Sequence, residues 1–248
     1  MLKKIIFSSI IAALYASSAF SNNDVIYEFA FKYLLRGDQK TFYEKIYPYA
    51  EQENPGAMFG IGNQNLKNKE YEKAITWYEK AILKGNGCAA NNLGLMYARG
   101  SGVPQSIDLT QYWLKVGSDL GDGRSTSNYA GVLAEKNPHD KVTLLSLYKL
   151  ALEQGEPCGA YHLGELYNGA DKSIYNKEKA YFYFLLSRWV GLVGCPFYGS
   201  KELATLKKIL GREKSTAIES EVAKWKTLHP LMQIQIRTAQ CFKSQYKR

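Results

Sequence analysis

The stretch Ala89-Ala-Asn-Asn-Leu93-Gly94-Leu-Met-Tyr97-Ala-Arg-Gly100-Ser-Gly102-Val103-Pro104 decides the fold. It begins with a small residue, reaches a large apolar one four places on, and sets a glycine beside it. Ala57 to Ile61-Gly62, Ser125 to Tyr129-Ala130 and Gly159 to Leu163-Gly164 repeat the arrangement, with small residues in the first and last positions. The large residues Ile61, Leu93, Tyr129 and Leu163 stand 32, 36 and 34 residues apart. A fixed period of that size is the mark of stacked structural repeats. A second pattern follows each copy of the first: Ala74, Trp77, Ala81, Gly85; then Thr110, Trp113, Gly117, Gly121; then Leu144, Leu147, Ala151, Gly155; then Ala180, Tyr183, Ser187, Gly191.

In both patterns small and apolar residues return in steps of three and four, so each unit is two amphipathic helices. The small column (Ala57, Ala89, Ser125, Gly159) lets helices approach closely, and the large residue four on fills the space. Gly85, Gly121, Gly155 and Gly191 end the second helices, where a left-handed stop excludes most side chains. One such pair encloses too little core and must stack on the next. The expectation is an all-α protein, a right-handed solenoid of stacked antiparallel helical hairpins with a C-terminal capping helical segment.

Outward from the repeats, the chain divides into 1–21, 22–55, 56–194 and 195–248. Lys3 and Lys4 precede an apolar run from Ile5 to Tyr15, followed by small residues up to Ser21, the three parts of a secretory signal peptide. The run is short for a permanent anchor. An exported, periplasmic protein cleaved after Ser21 is expected. Residues 22–55 read as a degenerate helical hairpin, Asp24 to Leu35 and Gln39 to Tyr49, turning at Gly37-Asp38. Residues 56–194 hold about four repeats, and 195–248 form basic capping helices, Lys201 to Leu210 and Glu213 to Leu228 among them.

With 248 residues, 46% hydrophobic and 22% charged, the chain is neither disordered nor collagen-like. Its net charge of +9 invites a nucleic-acid reading, but the charge is not in the repeats. Asn22 to Ser200 carries 19 basic and 19 acidic residues, whereas Lys201 to Arg248 carries 11 basic and four acidic. The excess belongs to the signal and to the closing module, and no nucleic-acid partner is expected.

The Leu-Gly pair, Tyr97, the Gly100-Ser-Gly102-Val103 loop and the later Tyr112-Trp113 and Gly121 resemble the Sel-1-like repeat (SLR) family, relatives of tetratricopeptide proteins. Leu163-Gly164-Glu-Leu-Tyr167-Asn-Gly169 repeats much of this, while the unit around Tyr129-Ala130 departs from it and has a shortened loop at Asn137-Pro138. The resemblance implies a protein-binding adaptor. In its most concrete form it implies a periplasmic immunity protein that neutralises a secretion-system effector such as a phospholipase.

Chemistry is sparse. His139, His162 and His229 are scattered among units. Cys158 and His162 share a helix face but do not complete a zinc site. Ser146 to Lys149 and Ser244 to Lys247 have Ser-x-x-Lys spacing without the companion elements of penicillin-recognising enzymes. No catalytic residue, metal or cofactor is assigned. Cys88, Cys158 and Cys195 occupy equivalent positions at the start of first helices, and Cys158, Cys195 and Cys241 are the disulfide candidates with pairing left open. Cysteine-rich SLR proteins, for which penicillin-binding or hydrolysing activity has been proposed, pair cysteines within each repeat, and this chain does not follow that pattern.

What remains is surface. In solenoids of this kind the first helices line the concave side. Helical geometry then points Phe59, Asn63, Asn91, Asn92, Leu95, Asn128, Tyr161, His162 and Glu165 outward, a polar groove with occasional aromatics suited to a protein segment. Lys207, Lys208, Lys224 and Lys226 make the basic end a second contact. Two rivals remain: a cell-envelope enzyme of the penicillin-binding or β-lactamase-like kind, and a module for anionic lipid or glycan.

Overall fold

The computed structural model describes residues 36–169, 171–190 and 199–228. The expected signal segment, the expected first helix of the N-terminal hairpin, Gly191, Cys195, Cys241 and the tail from His229 lie outside the described residues. Among those described, every regular element is an α-helix: α1 (Gln39–Glu51), α2 (Pro55–Lys67), α3 (Tyr71–Leu83), α4 (Gly87–Arg99), α5 (Ile107–Asp119), α6 (Gly123–Lys136), α7 (Lys141–Glu153), α8 (Cys158–Asn168), α9 (Lys177–Val190) and α10 (Gly199–Leu228). Contacts divide the chain into two compact units, Met1–Ala89 and Ala90–Arg248.

The same local signals start and stop the helices of each repeat. Asn54, Asn86 and Asp122 accept at 2.9 Å from the amides of Ala57, Ala89 and Ser125, the bond that satisfies an orphan N–H of a first turn. Glu156 takes this place in the last unit and accepts from the Cys158 amide at 3.1 Å. Gly85, Gly121 and Gly155 all have φ of +85°. The amides that follow them, of Asn86, Asp122 and Glu156, reach back to the carbonyls of Ala81, Gly117 and Ala151 at 3.0, 3.0 and 2.8 Å. That is the Schellman stop, for which glycine is the residue without a steric penalty.

Three hairpins close by one rule, a glycine on the first helix receiving a large side chain from the second, and in the hairpin of α6 and α7 Ala130 stands at the glycine's position. A Cβ added at Gly62 would lie 2.7 Å from the Tyr78 ring, at Gly94 3.1 Å from Leu114, and at Gly164 2.7 Å from the Phe184 ring. Tyr78, Leu114, Tyr148 and Phe184 are one column of the repeat, and all four are buried.

In the first unit, α1 buries Phe42, Ile46 and Ala50 on one stripe, and α3 buries Ala74, Tyr78 and Ala81. In the second, one cluster joins Ala130, Leu144, Tyr148, Leu152, Ala160, Leu163 and Leu186, and another joins Tyr167, Tyr181, Phe184, Leu203, Leu206 and Ile218. Gly159 brings α8 directly onto α7, since a Cβ there would lie 2.6 Å from the Tyr148 carbonyl oxygen. Helix α10 breaks at Gly211, with φ and ψ of 76° and 174°, where the sequence separates Lys201 to Leu210 from Glu213 to Leu228.

Candidate functional site

An open cleft of about 440 Å³ lies in the second unit among α6, α7, α8 and the loop that follows α8. Helix α7 contributes Lys141, Leu144 and Tyr148, α8 contributes His162, Glu165 and Leu166, and the loops contribute Pro138 and Asp171. Two residues predicted for the partner surface, His162 and Glu165, line it, and a third, Tyr161, bonds to Glu165. Glu165 accepts from the Tyr161 hydroxyl at 2.9 Å and lies 3.2 Å from Nδ1 of His162. These spacings of three and four along α8 put all three on one helical face.

The cleft is electrostatically mixed. The hydrogen bond from His162 and then that from Tyr161 hold the Glu165 carboxyl below its usual range, against desolvation acting the other way. Asp171 is likewise held low, by the Ser173 hydroxyl and amide first, with Lys141 and His139 adding to it. The His162 ring stacks on Tyr148, with centroids 4.7 Å apart and planes at 27°. Burial, with the Glu165 charge adding, pushes the Tyr148 hydroxyl up to about 12. Tyr148, Lys141 and Asp171 were not anticipated for the site. Only for Tyr148 does the sequence hold a signal, a phenol with a polar tip in the column that seals each hairpin.

The other predicted groove residues fare differently. Phe59 has no exposed surface and packs near Tyr78, with ring centroids 6.1 Å apart, so it is core and its expected outward projection is corrected. Asn63 accepts from the Tyr78 hydroxyl at 2.8 Å. Asn91 and Asn92 are also buried, at 0% and 7% exposure, a second correction. Asn128 donates to Asn91 across neighbouring repeats at 2.8 Å, so the pair ties hairpins together. A helical wheel drawn for one hairpin leaves out the surface that the next hairpin covers. Leu95 is half-buried.

At the basic end, Lys207 pairs with Glu219 at 2.7 Å, and Glu219 also accepts from Tyr181 at 2.8 Å. Lys226 lines a second hollow of about 370 Å³ with Leu185, Arg188, Glu219 and Val222, while Lys208 and Lys224 are exposed. Cys88 and Cys158 are both disulfide-bonded. Cys158 therefore has no thiolate to share with His162, and Cys88, which was not among the disulfide candidates, joins them. Among the described residues no three His, Cys, Asp or Glu side chains converge as a metal site requires. No helix among them is long and apolar enough to cross a membrane. Ser146 donates to the Thr143 carbonyl at 2.7 Å on an exposed helix face.

Paired helices in fixed register, with a mixed polar and aromatic cleft, define a helical-repeat protein of the kind that generally serves protein–protein interaction. The Sel1 repeat model matches residues 56–86, 89–122 and 159–187. The chain carries Sel1 repeats over these three segments, and the Sel1-repeat solenoid fold is typically non-catalytic. Residues 123–158 fall outside those matches although α6 and α7 keep the register, in keeping with Tyr129-Ala130 in place of Leu-Gly and the shortened loop.

A crystal structure of a Sel1 repeat protein from Oxalobacter formigenes superposes with a TM-score of 0.64 at 17% identity, covering 84% of this chain and 90% of that one. A second, more distant structure is that of c5321, described as a protective antigen present in uropathogenic Escherichia coli strains and displaying an SLR fold. It has a TM-score of 0.38 at 20% identity and covers 80% of this chain and 51% of that one. No curated protein matches the chain significantly.

Proposed function

We propose that the chain is an exported binding module without catalysis of its own, whose docking face is the cleft bounded by Tyr148, His162 and Glu165. The partner is a toxic secreted effector, such as a phospholipase, which the module masks in the periplasm. The observation that carries this reading is the cleft itself. It joins an apolar wall to oriented polar groups, the composition of recognition surfaces where a few anchored contacts dominate affinity. Export is supported by the N-terminal sequence pattern and by the disulfide-bonded state of Cys88 and Cys158, which suits an oxidising compartment.

The test is co-expression of the chain with a candidate toxic effector of the phospholipase kind. The expected result is restored growth together with a stable complex, with growth restored only when residues 1–21 are present to direct export. Neither a complex nor relief of toxicity under co-expression would refute the immunity reading.

A further inference from the structure

Acidic side chains outnumber lysine in the cleft lining, the reverse of the balance in the molecule as a whole. The chain as a whole is +9, which on its own argues for an acidic partner. Among the side chains lining the cleft, the two carboxylates of Glu165 and Asp171 outnumber the one ammonium, that of Lys141. The lining also has an apolar part, Ala134, Pro138, Leu144 and Leu166, beside the Tyr148 ring.

A long apolar stem ending in a planar cation matches both halves of this environment. Arginine buries its methylenes on apolar surface and offers several donors to carboxylates. The Glu165 carboxylate is already oriented by Tyr161 and His162, and Asp171 is oriented by the Ser173 amide at 2.9 Å and hydroxyl at 2.6 Å. Neither has to lose much freedom on binding. The volume of about 440 Å³ is at the scale of side-chain and small-ligand pockets rather than of a whole docked helix.

We propose that the cleft is a receptacle for an arginine side chain, flanked by apolar residues, presented by the partner protein. This rests on the docking face proposed above and names the chemistry of its anchor.

The probe is a fluorescein-labelled peptide with a central Leu-Arg-Leu, compared with its Leu-Gln-Leu and Leu-Glu-Leu counterparts by fluorescence polarisation on the full exported chain. The arginine peptide is expected to bind and to weaken with salt. Glu165→Gln, which preserves shape, lowers its affinity about tenfold, the equivalent of one lost charge-assisted contact. Lys141→Gln removes the competing cation and raises the affinity severalfold, a gain that misfolding cannot mimic. Equal binding of the three peptides, no binding of any, or indifference to both substitutions overturns the proposal. If the arginine peptide fails while the partner still crosslinks through position 165, the anchor is wrong and the docking face stands. If both fail, the docking face falls with it.

Discussion

Two glycine-to-alanine substitutions, each inside a first helix of the second unit, should move stability in opposite directions. At Gly131 in α6 an added Cβ meets nothing within 4 Å. There only backbone propensity acts, and alanine stabilises a helix interior by about 0.8–1.0 kcal/mol over glycine. At Gly164 in α8 the same Cβ lies 2.7, 2.8 and 3.0 Å from three atoms of the Phe184 ring, itself 2% exposed within a packed cluster. The ring must move by about 1 Å, and overpacking of this kind costs about 1–3 kcal/mol. With the upper end of that range, because Phe184 has no solvent side to yield into, and about 1 kcal/mol of propensity returned, the net loss is about 2 kcal/mol. For a protein of this size that corresponds to a fall in Tm of about 4–8 °C, against a rise of about 2–4 °C for Gly131→Ala. Gly94→Ala, 3.1 Å from the flexible Leu114 side chain, belongs between them. Calorimetric or circular-dichroism melts of the three variants give the order directly. A Gly164→Ala protein as stable as Gly131→Ala would refute the idea that hairpin closure sets this column.

Arg124 lies 4.0 Å from Glu156, both largely buried, and burial is the main influence raising the Glu156 and Asp122 carboxyls above their usual range. A carboxyl raised on folding binds protons that the unfolded chain has released, so stability falls as pH rises through the window above the ordinary carboxylate range. Arg124→Met should deepen that fall and cost about 2 kcal/mol at neutral pH, seen as pH-dependent denaturant midpoints. Glu165, held low, has the opposite sign: its contribution is present above the unfolded carboxylate pKa and is lost as pH falls through the lowered one. Glu165→Gln should therefore flatten the acid limb of the same curve. Asn86→Ala removes both the cap of α4 and the bond to the Pro55 carbonyl at 3.2 Å, with an expected loss of about 1–2 kcal/mol by urea unfolding. The native protein should show no alkylation of Cys88 or Cys158, and reduction should lower stability by about 2–4 kcal/mol. Free thiol at either position in the folded protein would contradict the bonded state.

What the sequence discloses about this molecule is local and columnar. The cap at Asn54, Asn86 and Asp122, the left-handed glycine at 85, 121 and 155, and the bare position at 62, 94 and 164 each follow from one helix or one hairpin. Their spacing carries the fold. The candidate site was legible only in α8, where Tyr161, His162 and Glu165 are neighbours by helical spacing. Phe59, Asn91 and Asn92 were read as outward-facing because periodicity describes one helix and not what packs on it. Asn91 in particular is taken up by Asn128, 37 residues away. Lys141 and Asp171 reach the cleft from an element and a loop whose approach depends on how hairpins stack, so no pattern within a single unit marks them.

The docking claim is tested most directly by a photo-crosslinking amino acid placed at position 165 in the full chain within its own cells. Position 112 on α5, 57% exposed, serves as the comparison. The account predicts a single discrete adduct from position 165, absent from position 112 and diminished when His162 or Tyr148 is replaced by alanine. Adducts of equal strength from both positions, or an adduct from position 112 alone, would contradict it.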